Sequence, residues 1–142
     1  MVFLALRFID YKDNFREKIL HLYFNYGDDV NVNHKRCFEG MITACRRMST
    51  KCVKAIITFE SASGAEWRSP TDPRQFLPNL FISVSEDNLN AKIKGMESYE
   101  FEKRAYPHPR SPEALKIQAQ RWGVSIGRPF AEAFVLVRCI AD

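Results

Sequence analysis

Strands interleaved with helices predict an α/β layered fold, a Rossmann-like three-layer sandwich with a mostly parallel sheet. Four segments, at residues 20–26, 53–59, 80–84 and 133–140, are short apolar runs rich in β-branched and aromatic residues. Runs of that kind suit strands covered on both faces. Between them lie segments whose apolar residues recur at helical spacing. A length of 142 residues, with 46% hydrophobic and 27% charged, is enough for one core, so a single domain over 1–142 is expected. Four strands make a thin sheet, and an incomplete one is expected.

The first strand, residues 20–26, ends in Gly27-Asp28-Asp29 and so runs into a loop. A helix over 34–48 follows, with Phe38, Met41, Ile42, Cys45 and Met48 on one stripe and Asn31 and Asn33 as candidate caps. Between the strands at 53–59 and 80–84 lie about twenty residues without periodicity. A connection of that length in a small domain is uncommon unless it binds or covers something, and this one carries Glu66, Trp67, Arg68 and Arg74. Ser85-Glu86-Asp87 gives a cap and an acidic first turn to a helix expected to reach 103, with Leu89, Ile93 and Met96 buried. Two prolines then flank His108 and are expected to hold a stiff, extended loop. Ser111-Pro112-Glu113 starts the last helix, with Leu115, Ala119, Trp122 and Ile126 facing inward and Gly127 near its end.

A net charge of +4, with Lys and Arg interleaved among Asp and Glu, predicts no nucleic-acid partner. The basic residues Arg46, Arg47, Lys51 and Lys54 fit a solvated face at a helix end. The cysteines at 37, 45, 52 and 139 lack CxxC spacing, and three fall on apolar faces, as in a reduced cytoplasmic protein. The opening apolar run is too short for a signal peptide and no stretch reaches transmembrane length, so no membrane association is expected.

Several ordered motifs share one resemblance. Tyr26-Gly27-Asp28-Asp29-Val30-Asn31-Val32-Asn33-His34 is followed by Phe59-Glu60, Ser63 and Glu66-Trp67, then by Pro78-Asn79-Leu80-Phe81. The most specific stretch is Arg104-Ala105-Tyr106-Pro107-His108-Pro109-Arg110-Ser111, with Gly123, Gly127 and Ala131-Glu132-Ala133-Phe134 after it. From residue 24 to 140 the chain resembles the carboxy-terminal half of the PIG-L/LmbE-type zinc-dependent N-deacetylases. The resemblance implies a hydrolase that removes an acetyl group from an N-acetylglucosamine conjugate or related amino sugar. In that family a zinc ion held by two histidines and a carboxylate activates water, an aspartate acts as base, and nearby donors stabilise the oxyanion.

Carried over by position, His34 is the zinc ligand, Asn31 and His108 are the catalytic candidates, and Glu66, Trp67 and Arg110 are the substrate-binding ones. The family's opening motif, Ala-His-Pro-Asp-Asp-Glu, occurs nowhere in the sequence, and Asn33 replaces the usual aspartate beside the metal histidine. Asn25 stands where many relatives have histidine, while Ala65 and Phe101 replace polar residues. A single imidazole does not make a zinc site. The expectation is therefore a truncated or degenerate copy without zinc or activity by itself. It would self-associate or pair with a chain supplying the other half. The alternative is a non-catalytic sugar-binding or protein-interaction module.

Plainer roles stand beside these. His34 could be a first-turn residue, His108 a loop residue, Asp28 and Asp29 turn carboxylates that bond nearby backbone, Trp67 a cover for the core edge, and Trp122 core.

Overall fold

The computed structural model describes residues 5–9, 19–46 and 53–140. Their order is β1 (Ala5–Ile9), β2 (Ile19–Asn25), α1 (Val32–Ala44), β3 (Ala55–Phe59), β4 (Leu80–Ser83), α2 (Glu86–Glu97), a 3-10 turn (Glu100–Glu102), α3 (Pro112–Ser125) and β5 (Ala131–Cys139). The strands form one sheet in the order β1-β2-β3-β5-β4. The expected α/β class holds, with the four anticipated strands in place and β1 added at the edge.

The mostly parallel, Rossmann-like sheet does not. Among the described residues only β2 and β3 pair in parallel, with Leu22 opposite Ile56 and Phe24 opposite Thr58. β1 runs antiparallel to β2, and β5 runs antiparallel to both β3 and β4. β5 therefore separates β4 from β3, which point the same way but do not touch. Continuous apolar runs report burial on both faces and carry no information about strand direction.

Register decides which side chains share a face. Leu22, Phe24 and Ile56 lie on one face and join Met41 of α1 in a buried cluster, with Cys37, Phe38, Ile42 and Cys45 packed around it. Each such side chain, withdrawn from water, contributes about 1.5–3 kcal/mol. Ala133 and Phe81 belong to the same face, and Trp122 of α3 packs on Phe81 with ring centroids 6.0 Å apart. Tyr23 and Phe134 occupy the opposite face and meet edge to face at 6.0 Å. α2 reaches that side through Lys92, whose ammonium bonds both carboxylate oxygens of Glu132 at 2.7 Å.

The helix starts follow their capping residues. Asn31 Oδ1 accepts from Asn33 N at 2.9 Å, Ser85 Oγ from Asn88 N at 3.2 Å and Ser111 Oγ from Ala114 N at 3.1 Å. The ends differ from expectation. α1 stops at Ala44, and Arg138 Nη2 donates to the Cys45 carbonyl at 2.7 Å, satisfying one of the carbonyls a helix end leaves open. α2 stops at Glu97 and not at 103, because the Ser98 hydroxyl donates to Gly95 O and competes with the backbone ladder. Ile126, expected on the buried face of α3, sits at its C-cap and is exposed. Gly127 takes φ +65°, a left-handed conformation that turns the chain back toward β5. Met48, Arg47, Lys51 and Cys52 lie outside the described residues. Cys37, Cys45 and Cys139 are free thiols, and Cys139 is exposed. Among the described residues no helix is long and apolar enough to cross a membrane.

Candidate functional site

β2 and β3 end side by side, Asn25 opposite Phe59, and both continue into loops at the same end of the sheet. The carboxyl ends of parallel strands are a common place for ligand crevices in α/β proteins. A cavity of about 510 Å³ opens there between the strand ends, α2 and the start of α3. That volume is in the range of small-molecule sites.

His34 enters the cavity wall from the first turn of α1, itself buried. Its Nδ1 lies 2.7 Å from Asp29 Oδ2, and Asp29 is only 1% exposed. The other carboxylate oxygen of Asp29 accepts from Asn31 N at 2.8 Å. Asp29 is thus a turn carboxylate that bonds nearby backbone, as one reading held, and at the same time the group that orients His34. An ionised Asp29 accepts the proton of Nδ1–H, which leaves Nε2 as the ring's acceptor nitrogen. The pair is sealed by Gly64, where a Cβ would come within 2.3 Å of both Asp29 carboxylate oxygens. A carboxylate behind an imidazole is the arrangement that fixes ring orientation and tautomer in metal and general-base sites alike.

Arg110 reaches the same cavity from the loop that leads into α3. Its guanidinium pairs with Glu102 and donates to Ser63 Oγ through Nε at 3.2 Å and Nη2 at 3.0 Å. Ser63 holds φ +71°, a conformation that L residues adopt at a cost of about 1–3 kcal/mol. Its backbone N–H donates to Glu66 Oε2 at 2.7 Å. Glu66 therefore shapes the loop that Arg110 grips, and its other oxygen meets Gln118 Nε2 at 3.4 Å on the cavity wall.

The loop around His108 is folded, not extended. His108 N donates to Ala105 O and Ser111 N to His108 O, closing successive turns, with Pro109 at the turn position that suits its fixed φ. His108 Nδ1 accepts from Arg110 N at 3.1 Å, and its ring stands edge-on to Trp67 at 5.3 Å. Trp67 is 62% exposed. Of the residues marked by sequence, Asn31, His34 and Arg110 line the cavity. His108, Glu66 and Trp67 do not line it, although His108 and Glu66 bond the lining residues Arg110 and Gln118 and Trp67 packs on His108. Arg68 and Arg74 of the long loop both bind Asp72, at 2.6 and 2.9 Å, so they hold the loop's own shape. The Arg74 and Arg68 contacts keep the Asp72 carboxyl well below the usual carboxylate range. Trp122, expected in the core, is partly buried and donates from Nε1 to Glu60 Oε2 at 2.9 Å.

Sequence reasoning gave no specific role to several residues in and around the cavity. Asp29 was open to recognition, since an Asp five residues before a helix-start His can reach back to it. Asn25, Glu60 and Glu132 entered only as positions of the resemblance, and nothing local shows that Lys92 pairs with Glu132, that Glu60 accepts from Trp122 or that Asn25 bonds Ser61. Burial pushes the carboxyl of Glu60 upward against the opposing Trp122 hydrogen bond, and Glu66 adds like-charge repulsion. Burial likewise raises Glu66, opposed by its own and the Ser63 backbone N–H.

Among the described residues no group of three or more His, Cys, Asp or Glu side chains is placed to hold a metal ion. Zinc sites use three or four protein ligands, of which the resemblance implies His34 as one. No family model matches the chain, and neither a curated protein nor a solved structure matches it.

Proposed function

We propose that the chain is a PIG-L/LmbE-type protein whose cavity takes an N-acetylated amino-sugar conjugate. One observation carries this reading: His34 and Arg110, from the two most distinctive motifs of the resemblance, converge on a single cavity although they are far apart in sequence. The chemistry of the lining agrees. Phe59, Met96 and Phe134 offer apolar surface for the ring face and acetyl methyl, and Asn31 and Gln118 offer amide groups for hydroxyls.

In the deacetylase reading, the scissile acetamide lies beside His34. Asp29 keeps Nε2 as the acceptor, and Arg110, its charge balanced by Glu102 and its position held by Ser63, offers N–H donors to the substrate's neutral oxygens. Removal of the acetyl group also needs an activated water. The zinc implied by the resemblance would take its remaining ligands from outside the described residues. A homo-oligomer or a complementing chain is one source of them, and zinc enters no step assigned to these residues.

A second reading is a sugar-binding module without catalysis. The apolar surface and amide groups of the cavity favour it, since they bind a sugar without any further group. Acetate release from an N-acetylglucosamine conjugate, measured with added zinc on the unaltered chain and on His34→Ala, separates the two. Hydrolysis that the variant lacks supports the deacetylase. Sugar binding without acetate supports the module, and neither binding nor hydrolysis contradicts both.

A further inference from the structure

Asn25 is the last residue of β2 and only 1% exposed. Its Cα is fixed by the ladder opposite Phe59, and its Nδ2 donates to Ser61 Oγ at 2.8 Å. The other end of the carboxamide, Oδ1, is buried with no hydrogen-bond partner, and the residue lines the cavity. The amide's two ends could be exchanged, since Ser61 can donate or accept, and one end would still be without a partner. A buried polar atom in that condition is costly, about 1–3 kcal/mol, unless something completes it.

The charges around Asn25 restrict what that could be. Lys92 is chelated by Glu132, and Arg110 is paired with Glu102. Neither cation is a bare anchor for phosphate or a carboxylate ligand. A ligand ammonium would have to leave water for carboxylates already engaged by Lys92, Arg110 and Trp122. A neutral group with a hydrogen-bonding edge suits the position best. A secondary amide supplies both a donor and an acceptor, so it can meet either end of the carboxamide.

We propose that Asn25 is a specificity-determining residue that hydrogen-bonds the acetamido group of the ligand and so selects the N-acetylated sugar over the free amine. The assignment rests on the reading of the cavity as an amino-sugar site.

Isothermal titration of the purified chain with N-acetylglucosamine, glucosamine and inorganic phosphate tests it, on the unaltered protein, Asn25→Leu and Ser61→Ala. Asn25→Leu removes both ends of the amide, whereas Ser61→Ala only releases its anchor and leaves the strand side chain in place. N-acetylglucosamine is expected to bind in preference to glucosamine, with no phosphate binding. Asn25→Leu is expected to weaken N-acetylglucosamine about tenfold and to reduce the preference by a similar factor, with a smaller loss in Ser61→Ala. Where Asn25→Leu does not fold, the preference in Ser61→Ala decides. An unchanged preference in the folded variants overturns the role of Asn25 while leaving the cavity reading intact. Failure of the unaltered chain to bind N-acetylglucosamine overturns both.

Discussion

Asp29→Ala is expected to destabilise the chain by about 3 kcal/mol, because removing one member of a buried hydrogen-bonded pair strands the groups it served. Asp29 and His34 are both buried, and the carboxylate serves the His34 ring and the Asn31 backbone at once. For a chain of this size the loss lowers Tm by roughly 6–12 °C. Asp29→Asn separates stability from orientation. Its amide oxygen can still accept from Asn31 N, while its NH2 group donates to His34 Nδ1 and forces the proton onto Nε2. The Asn variant should retain most of the lost stability and switch the imidazole tautomer, read from the ring's 15N shifts. An unaltered Tm in Asp29→Ala, or the same tautomer in Asp29→Asn, would contradict the orienting role.

The second large effect is a pH dependence from Glu60. Its folded pKa is raised above the unfolded value, chiefly by burial. The sign follows from linkage. The favourable contribution of the protonated carboxyl is complete below the unfolded value and is lost as pH rises through the folded value. Glu66 is raised in the same direction and repels Glu60. Stability should therefore decline as pH rises from the ordinary glutamate range toward neutrality. Glu60→Gln keeps an acceptor for Trp122 Nε1–H and removes the charge. It is expected to raise stability by on the order of 1 kcal/mol at pH 7, about 2–4 °C in Tm, and by nothing near pH 4. Thermal melts of both proteins from pH 4 to 8 check this, and a variant less stable at pH 7 would reverse the assigned sign.

Local chemistry was legible and long-range pairing was not. Ser85 and Ser111 cap their helices as their sequence context predicts, and Asn31 caps α1, because a cap depends on residues within one turn. The aperiodic stretch after β3 is a loop throughout, stabilised by Arg68, Asp72 and Arg74. The orientation of β5 between β3 and β4 was invisible, since an apolar run packs equally well in either direction. The same limit governs the site. His34, Asn31 and Arg110 stood out as motif residues, but nothing local shows that Lys92 meets Glu132 or that Asn25 bonds Ser61. The Pro-His-Pro segment misled because proline restricts its neighbours without dictating whether the segment closes into turns. Here the hydrogen bonds of His108 N and Ser111 N close them.

The central claim is that the cavity at the ends of β2 and β3, walled by His34 and Arg110, receives the acetylated sugar. Titration of N-acetylglucosamine into the 15N-labelled chain tests it most directly. The account predicts shifts in the amides of Asn25, Asn31, His34, Ser61 and Arg110, saturating with concentration. Shifts confined to the exposed surface around Trp67, or no shifts at all, would contradict it.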